Sequence, residues 1–569
     1  MNLEKNFNPS FVRENTQEIG GIWQFSLDKK SWRDIRVPYA PQSVLSGIGY
    51  TDFIPECYYK KSFTVKKTDE RILLHFGAVD YRALVYINGK FAVEHEGGFT
   101  PFETDITDLC TDGENELALT VYDQTQDIPF GKQSYKKNSF GCFYTRTTGI
   151  WQPVWLEYAP ENRVKEFYFT PDLKNCALGV DLLVTQKGSY EIEVFFDNKK
   201  VGYASGDIQY RASVTIPLKE KKLWSVGNGN LYEVKIKYGK DTVFSYFGLR
   251  QVQYDGYKFL INGEEVFQNL VLDQGFYPDG IYTAPSIDAM QKDIHLALDL
   301  GFNGARLHQK VFDPRFLYLC DKAGYIVWGE FPSWGVDFSN VNYLGKFLAQ
   351  WQEVLRRDFN HPSIVTWCPL NEVWGAWEDN AKRPDLRFVD GVYDFTKTLD
   401  TTRPCVDVSG GIHGRASDLY DFHSYEAVEN IQKYLEEFND EEKLKSGTLY
   451  FENRTGKYIR GLPINLSEYG GIAFGYGYKG GGMADAGGEE AVQSEESWGY
   501  GKGATDGDNF VERFRALVET VFRCQKLSGV CYTQLYDVEQ EQNGFYYYDR
   551  SDKLTEQQKA EIKKINQSR

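Results

Sequence analysis

The sequence predicts three folded parts: an N-terminal β jelly roll, an immunoglobulin-like β-sandwich and a C-terminal (β/α)8 TIM barrel. Three observations lead to this prediction. At 569 residues the chain is too long for one hydrophobic core. Up to about residue 252 short strand-like runs are separated by turn residues. Beyond residue 256 helical periodicity alternates with buried-strand patterns, so we expect domains at 1–160, 161–255 and 256–569.

The first part, 1–160, has the pattern of an all-β domain. Strand-like runs at 58–65, 71–76 and 83–88 are separated by Gly, Asp and Asn. Asn88-Gly89 lies between two apolar runs, and this pair predicts a hairpin because a tight two-residue turn requires positive φ at both positions. A jelly roll is the natural interpretation.

The second part, 161–255, continues the β pattern at the length of one sandwich domain. Several of its runs alternate apolar and polar residues with a period of two, which is typical of strands with one buried face. The runs lie at 178–184, 190–196, 212–216 and 232–236. About 90 residues of such runs predict an immunoglobulin-like sandwich.

The third part, 256–569, alternates strands with helices. Ser286 is a predicted N-cap, apolar residues follow at helical spacing, and Gly301 lies just past the end. Eight strand-like segments separated by helical patterns indicate a TIM barrel. These segments are 266–273, 303–308, 325–330, 364–372, 404–410, 419–426, 464–470 and 529–537. The glycine-rich stretch 470–503 is too long for a plain connector and is predicted to be an active-site loop or lid.

Composition and charge exclude several classes of function. A net charge of −17 argues against a nucleic-acid partner. The first residues lack the apolar stretch of a secretory signal, and no segment is apolar enough to span a membrane. Nine scattered cysteines fit free thiols in the cytoplasm, and seven histidines without a paired motif make a structural metal site improbable. We expect a cytoplasmic protein without a metal or cofactor.

Polar residues cluster at the ends of the predicted barrel strands, where TIM barrels build their active sites. Each residue alone could be an ordinary buried polar group, so the signal is their joint position. They are Asp273 and Gln274 (first strand), Arg306 and His308 (second), Glu330 (third), Asn371 and Glu372 (fourth), His423 and Tyr425 (sixth), Glu468 (seventh), and Gln534 and Asp537 (eighth).

Two of these carboxylates have the chemistry to cleave a glycosidic bond. Such cleavage needs a proton for the departing oxygen and a stabiliser for the charge at the anomeric carbon, and carboxylates ~5.5 Å apart favour double displacement. The fourth and seventh strands lie nearly opposite each other in a barrel. We therefore predict Glu372 as acid/base and Glu468 as nucleophile. Asn371 can bind the sugar 2-hydroxyl, and either Tyr425 or an arginine near Glu468 can keep Glu468 ionised.

The chain resembles glycoside hydrolase family 2, the family of β-galactosidases, β-glucuronidases and β-mannosidases, over almost its whole length. The motifs are Arg-Thr-Thr-Gly-Ile-Trp-Gln-Pro at 146–153, Phe-Gly-Leu-Arg at 247–250, His-Pro-Ser-Ile-Val-Thr-Trp-Cys-Pro-Leu-Asn-Glu at 361–372 and Leu-Ser-Glu-Tyr-Gly-Gly at 466–471. The resemblance implies a retaining exo-β-glycosidase with the three domains above, and the same roles for Glu372 and Glu468. Family members commonly form dimers or tetramers, so a homo-oligomer is possible.

Departures from the family bear on the sugar. Family β-glucuronidases carry an Asn-x-Lys pair after the eighth strand, whereas this chain has Asn543 there without a Lys two residues on. The prediction is therefore a β-galactosidase acting on a terminal β-linked sugar of an oligosaccharide or glycoside. The alternative is a β-glucuronidase or β-galacturonidase in which Arg146 or Lys479 supplies the cation.

Two alternatives from other classes remain open at this point. A carbohydrate-binding protein that has lost catalysis would keep the fold, but both carboxylates and Asn371 are present. A structural sandwich protein with an incidental barrel does not explain the polar strand ends. Substrate stacking is predicted for one or more of Trp334, Trp374 and Trp498, and the loop 140–148 is expected to reach the cavity.

Overall fold

The structure is a computed structural model that describes residues 3–124, 127–374, 382–446, 448–456, 458–475, 482–483 and 497–569. Lys479 and most of the predicted loop 470–503 lie outside the described residues.

The N-terminal domain is an antiparallel jelly roll, as predicted. Its larger sheet has the order β3-β2-β4-β10-β7-β8 and its smaller sheet the order β1-β12-β5-β9, with β6 and β11 as a short pair. The strands are β1 Thr16–Glu18, β2 Gly21–Ser26, β3 Arg33–Val37, β4 Glu56–Val65, β5 Arg71–Phe76, β6 Val79–Asp80, β7 Arg82–Ile87, β8 Lys90–Glu96, β9 Phe102–Asp105, β10 Gly113–Tyr122, β11 Gly149–Ile150 and β12 Val154–Ala159. Asn88 and Gly89 have φ of 51° and 75° between β7 and β8, which confirms the hairpin.

The second domain is the predicted sandwich. One sheet has the order β13-β14-β17 and the other β16-β15-β18-β19. The strands are β13 Val164–Asp172, β14 Ala177–Val184, β15 Gly188–Phe196, β16 Lys199–Ile208, β17 Arg211–Pro217, β18 Tyr232–Tyr238 and β19 Asp241–Phe247. Alternate residues of β14, β15 and β18 point inward, so Leu182, Ile192 and Ile236 are fully buried in one core.

A small antiparallel sheet leads into the C-terminal domain, whose main sheet is parallel throughout. The small sheet consists of β20 Val252–Asp255, β21 Lys258–Ile261 and β22 Glu264–Glu265. Within the described residues the barrel sheet has the order β26-β25-β24-β23-β31-β28-β27. Its strands are β23 Gln268–Asp273, β24 Gly304–Leu307, β25 Ile326–Glu330, β26 Ile364–Cys368, β27 Tyr420–Ser424, β28 Ile464–Gly470 and β31 Leu527–Thr533; β29 Gly482–Met483 and β30 Gly499–Tyr500 form a separate pair.

Helices cover this parallel sheet, and their ends follow the predicted signals. Ser286 Oγ accepts the Ala289 N–H at 3.1 Å, and Asp313 accepts the Arg315 N–H at 2.8 Å beside Pro314. The helices are α1 Ile287–Asp299, α2 Pro314–Ala323, α3 Leu344–Asp358, α4 Leu386–Leu399, α5 Val428–Glu437, α6 Glu441–Ser446, α7 Glu452–Thr455, α8 Gly507–Phe522 and α9 Glu556–Asn566; single 3-10 turns lie at Leu3–Lys5, Val44–Ser46 and Val341–Tyr343. None of the helices in the described ranges has the length and apolar character needed to cross a bilayer.

The segment 404–410, predicted as the fifth barrel strand, is not a regular strand. It meets β26 and its extension only at two isolated parallel bridges, Trp367 with Cys405 and Asn371 with Ser409. Side chains replace regular strand pairing here, because the Asp407 N–H donates to Ser417 Oγ at 3.2 Å. The segment still occupies the fifth position, and it carries Ser409 to the barrel mouth.

Candidate active site

Arg306, at the end of β24, links three strands at the barrel mouth. Its side chain is fully buried, and its Nε donates to Glu330 Oε2 at 2.7 Å. Nη1 donates to Glu468 Oε1 at 2.8 Å and Nη2 to Asn371 Oδ1 at 2.5 Å. Because a guanidinium is planar and rigid, these bonds fix Glu468 and Asn371 relative to each other.

Glu468, in β28, is held as an anion. Burial raises the pKa of its carboxyl, but the nearby positive charges of His423 and Arg306, with Lys132 behind them, outweigh burial and lower the pKa to about 2. Tyr425 donates its hydroxyl to Glu468 Oε2 at 2.6 Å. An ionised, oriented carboxylate is what a nucleophile requires.

Glu372 follows β26 and approaches the same point from the fourth strand. Its φ is 47°, and its backbone N–H donates to Ser409 O at 2.8 Å, which holds this sparsely populated conformation. Its side chain is 24% exposed against 6% for Glu468. Glu372 is therefore the more accessible of the two to a substrate's departing group.

His423, in β27, brings the two carboxylates together. Its Nδ1 lies 2.8 Å from Glu372 Oε1 and 3.4 Å from Glu468 Oε2. One oxygen of each carboxylate and one ring nitrogen all lie within 4.8 Å of one another. Burial lowers the pKa of His423, but the charge of Glu468 and the hydrogen bond and charge of Glu372 raise it overall. The two glutamates thus share one pocket.

A second set of polar side chains surrounds Glu541, which follows β31. Asn543 Nδ2 donates to Glu541 Oε1 at 3.0 Å, and the Tyr144 hydroxyl donates to Oε2. Gln274 Nε2 donates to Tyr144 Oη at 2.9 Å and to Gln534 Oε1 at 2.5 Å. We call these five residues the Glu541 cluster. Tyr144 comes from the jelly roll, which agrees with the prediction that the loop 140–148 reaches the cavity.

The Glu541 cluster lies close enough to Glu468 for the charge of Glu468 to affect the pKa of Glu541. Burial raises the pKa of Glu541, the negative charge of Glu468 raises it further, and Lys132, Tyr144 and Asn543 oppose this rise. Gln534 Nε2 also donates to Asn543 Oδ1 at 2.8 Å, which closes the cluster on itself. Gln274 and Gln534 were predicted site residues, whereas Glu541 and Tyr144 were not.

Lys132, from the jelly roll, is a buried cation of the pocket that the sequence analysis missed. Its Nζ lies 4.1 Å from the ring centroid of Trp334, whose indole donates to Asn371 O at 3.1 Å. Burial lowers the pKa of Lys132, but the nearby Cys142, Glu541, Glu468 and Glu372 raise it overall. Lys132 lies in an irregular loop, where no periodicity marks a residue as inward-facing.

The remaining predicted residues lie around these groups or away from them. His308 Nδ1 is 3.0 Å from Glu330 Oε1, and burial with the adjacent Lys132 and Arg306 holds the pKa of His308 well below its usual value. Asp273 accepts hydrogen bonds from the Tyr536 hydroxyl and the Gly275 N–H, and Asp537 from Lys553 Nζ and the Gly544 N–H. These contacts tie both aspartates to the adjacent loops, and the predicted substrate contact of Asp273 stays a prediction.

Among the described residues, Arg146 contacts jelly-roll groups instead of the pocket. Its Nη2 donates to Ser134 O at 2.5 Å and Lys136 O at 3.1 Å, and its guanidinium carbon lies 3.7 Å from the Phe53 ring centroid. Its nearest acidic neighbours, Asp123, Asp80 and Asp52, lie in the same domain. These contacts do not support the predicted contact between Arg146 and a sugar carboxylate.

Two predicted stacking residues have partners within the protein. Trp498 donates its indole N–H to Gly141 O and packs edge-on to Tyr500, which stacks on Tyr425 with ring centroids 3.5 Å apart. Trp374, two residues after Glu372, lies under the guanidinium of Arg454 at 5.6 Å. Trp498 thus anchors the jelly-roll loop at the barrel mouth, and Trp374 stays half-buried beside the acid/base candidate.

Glu372, His423 and Glu468 also form a donor set that could surround a metal ion. The bonds already made argue for another use. Both oxygens of Glu468 accept hydrogen bonds, one from Arg306 and one from Tyr425. A guanidinium at 2.8 Å would repel a divalent cation at the same carboxylate.

Comparison with known proteins matches each part of the chain to a known domain family. The family-2 glycosyl hydrolase models match in order: the sugar binding domain at 34–160, the central family-2 domain at 162–250 and the TIM barrel domain at 252–478. A β-glucuronidase of Paenibacillus borealis is 24% identical over 512 residues, 80% of this chain and 83% of the relative. A β-galactosidase of Thermoanaerobacter pseudethanolicus is 27% identical over 425 residues, 70% of this chain and 54% of the relative.

Solved structures share the fold over nearly the full length. A β-D-glucuronidase of Dictyoglomus thermophilum superposes with a TM-score of 0.77 at 21% identity, covering 98% of both chains. A β-galacturonidase of Eisenbergiella tayi bound to galacturonate superposes with a TM-score of 0.76 at 20% identity, again covering 98% of both. With the three domain matches in order, the chain belongs to glycosyl hydrolases family 2 and is a glycoside hydrolase.

Proposed function

We propose that this exo-β-glycosidase works by a retaining double displacement and removes terminal β-linked uronic acids. The observation that carries the mechanism is that oxygens of Glu372 and Glu468 lie within 4.8 Å of each other. Retaining enzymes hold their two carboxyl groups ~5–5.5 Å apart, whereas inverting enzymes leave a wider gap for water.

The geometry supports a role for each residue in the first step. Glu468 attacks the anomeric carbon while protonated Glu372 gives its proton to the departing oxygen, so the glycosidic bond breaks as the ester bond to Glu468 forms. Asn371, fixed by Arg306, presents its amide at the sugar 2-hydroxyl.

In the second step Glu372, now a carboxylate, takes a proton from water as the water oxygen attacks the anomeric carbon. The ester bond breaks and its electrons return to Glu468. The hydrogen bonds from Arg306 and Tyr425 favour Glu468 as a leaving group because they stabilise its charge.

Lys132 supports the uronide specificity. In the part of the chain that the structure describes, no carboxylate oxygen lies within ion-pair distance of its Nζ, although the carboxyls of Glu541, Glu468 and Glu372 affect its pKa from further away. Such a buried cation is suited to a substrate carboxylate. The β-glucuronidase and β-galacturonidase relatives point the same way, and they favour this alternative over the β-galactosidase predicted from the missing Asn-x-Lys pair.

A neutral terminal sugar is the second candidate, and Glu541 favours it. Its buried carboxylate can accept hydrogen bonds from sugar hydroxyls and would repel a sugar carboxylate. The β-galactosidase relative agrees with this possibility. Lys132 therefore favours a uronic acid and Glu541 a neutral sugar.

A panel of nitrophenyl β-glycosides (glucuronide, galacturonide and galactoside) tests the choice. We expect the wild type to prefer a uronide and Lys132→Met to lower kcat/KM for that uronide about 10- to 100-fold, since a hydrogen bond to a charged group contributes ~1.5–3 kcal/mol. The galactoside rate should change much less. Lys137→Met, which removes an exposed lysine of the same loop, is the matched control and should behave as wild type. A wild type that cleaves only the galactoside would select the neutral-sugar candidate.

A further inference from the structure

Behind His423 lies a buried chain of hydroxyl and carboxyl groups. Ser467 Oγ lies 3.0 Å from His423 Nε2 and 2.5 Å from Asp421 Oδ2. Ser409 Oγ lies 2.7 Å from Ser467 Oγ and 3.0 Å from the same ring nitrogen. Asp421, Ser467 and Ser409 are fully buried. At the other end, His423 Nδ1 meets Glu372 Oε1 at 2.8 Å.

The charge of Asp421 decides which group donates in each of these hydrogen bonds. Burial raises the pKa of Asp421, while the positive charges of His423 and Arg306 and the Ser467 hydroxyl oppose this rise. In its ionised form Asp421 only accepts hydrogen bonds, so Ser467 donates its single proton to Asp421 Oδ2.

Ser409 must then be the donor to Ser467 Oγ, because the proton of Ser467 is already used. Neither hydroxyl has a proton left for the ring, so His423 Nε2 must itself carry one. Partners behind a histidine commonly select its tautomer in this way. With Nε2 protonated, the second proton of the His423–Glu372 pair lies between Nδ1 and Glu372 Oε1. On Nδ1 it gives the imidazole its positive charge, and on Oε1 it makes Glu372 an acid.

The ring is held in place. Gly410 has φ of 68°, and a Cβ added there would lie 2.3 Å from the His423 ring, so the backbone closes on one face of the imidazole. The charged and titratable groups around it are Glu372, Glu468, Arg306 with Nη1 at 3.5 Å, Asp421, and the more distant Glu330, His308 and Lys132. The orientation that faces Nδ1 to Glu372 is therefore fixed by packing as well as by hydrogen bonds.

We propose that Asp421, acting through Ser467, is a positioning residue that keeps one proton on His423 Nε2, so that the second proton of the His423–Glu372 pair can pass from Nδ1 to Glu372 and be delivered to the leaving group. The inference rests on the acid/base role proposed for Glu372. In the first step this proton moves from Glu372 to the leaving oxygen as the glycosidic bond breaks, and in the second step water returns a proton to Glu372. His423 keeps its Nε2 proton throughout.

The variant Asp421→Asn allows the donors and acceptors in this row of hydrogen bonds to exchange roles. The new amide can donate to Ser467, which can then donate to His423 Nε2 and leave the ring proton on Nδ1. Glu372 then faces a donor and is held as a carboxylate, unable to act as an acid. The Glu372–His423 pair also holds its second proton less tightly without the charge of Asp421, so the basic limb of the pH profile should move to lower pH.

The test compares two leaving groups on the sugar that the wild type hydrolyses. We expect Asp421→Asn to lower kcat/KM for an alkyl glycoside about 100-fold or more, because that leaving group needs protonation, and for a dinitrophenyl glycoside only a few-fold. Ser467→Ala removes the hydroxyl between Asp421 and His423. It should change the ratio of the two substrates and the pH profile in the same direction, but by less. Ser424→Ala is the matched control, because its buried hydroxyl on the same strand has no partner among the described residues.

The outcomes separate the two proposals. Equal losses on both substrates with an unchanged pH profile would make Asp421 merely structural and overturn the inference. If Asp421→Asn does not fold, Ser467→Ala decides by the same ratio of the two substrates. A wild type that hydrolyses no β-glycoside would overturn the proposed function itself, and with it this role for Asp421.

Discussion

Glu468 and Glu541 are buried glutamates that line the same barrel mouth, yet their surroundings shift their pKa values in opposite directions. Arg306 and His423 bring positive charge to Glu468, and its pKa falls to about 2. Glu541 receives hydrogen bonds from the neutral Tyr144 and Asn543, and burial raises its pKa. Burial alone thus does not determine the state of a carboxylate; the partner's charge does. Under the proposed function, the same comparison separates the nucleophile from a group that contacts the sugar.

The largest expected effect is on activity. Glu468→Gln should lower kcat at least ~10³-fold on every substrate, because the amide cannot attack the anomeric carbon. Glu541→Gln is its matched counterpart, since it neutralises the second glutamate without touching the reacting atoms. It should keep turnover and change mainly the KM ratio of uronide to galactoside in favour of the uronide. Losses of similar size in both variants would erase the distinction between the two glutamates.

The next largest effect is expected at Arg306, the cation that binds Glu468. Arg306→Lys keeps a positive charge but loses the fork that binds Glu468, Glu330 and Asn371 together. The pKa of Glu468 should rise, so the acidic limb of kcat/KM should move to higher pH by about one unit. A pH profile of the variant measures this shift. An unchanged acidic limb would mean that His423, and not Arg306, holds the charge of Glu468.

The two glutamates also differ in how far the sequence could predict them. Glu372, Glu468 and Asn371 end strand-like runs, and the parallel strands of a barrel converge at one face, so local patterns were enough. Glu541 lies in a loop past β31, and its neighbours Tyr144 and Lys132 come from another domain about 400 residues earlier. Only the docking of the jelly roll on the barrel brings them together, and no local period encodes that contact.

The same reasoning explains the two parts of the barrel that sequence patterns described least well. Asp421 and Ser467 lie within strands in which every residue except Gly470 is buried, so nothing in the pattern separates a polar residue behind the site from one in it. The segment 404–410 has the apolar character of a strand, but Ser417 takes the Asp407 N–H that a neighbouring strand would have used. Both features depend on side-chain hydrogen bonds rather than on periodicity.

The smallest effect is on stability, and its sign should differ between the two glutamates. The folded pKa of Glu468 is lowered from 4.5 to about 2, so it stabilises the fold above its unfolded pKa, by up to ~3 kcal/mol, and this is lost as pH falls toward 2. The folded pKa of Glu541 is raised, so its contribution is present below its unfolded pKa and is lost as pH rises through the folded pKa. Thermal unfolding at neutral pH should therefore show Glu468→Gln destabilised and Glu541→Gln equal to or more stable than wild type, with the advantage of Glu541→Gln shrinking as the pH is lowered. A Glu541→Gln variant that is less stable at neutral pH than at acidic pH, relative to wild type, would show that Glu541 is held as an anion, and Lys132 would then be its counter-charge rather than a site for a substrate carboxylate.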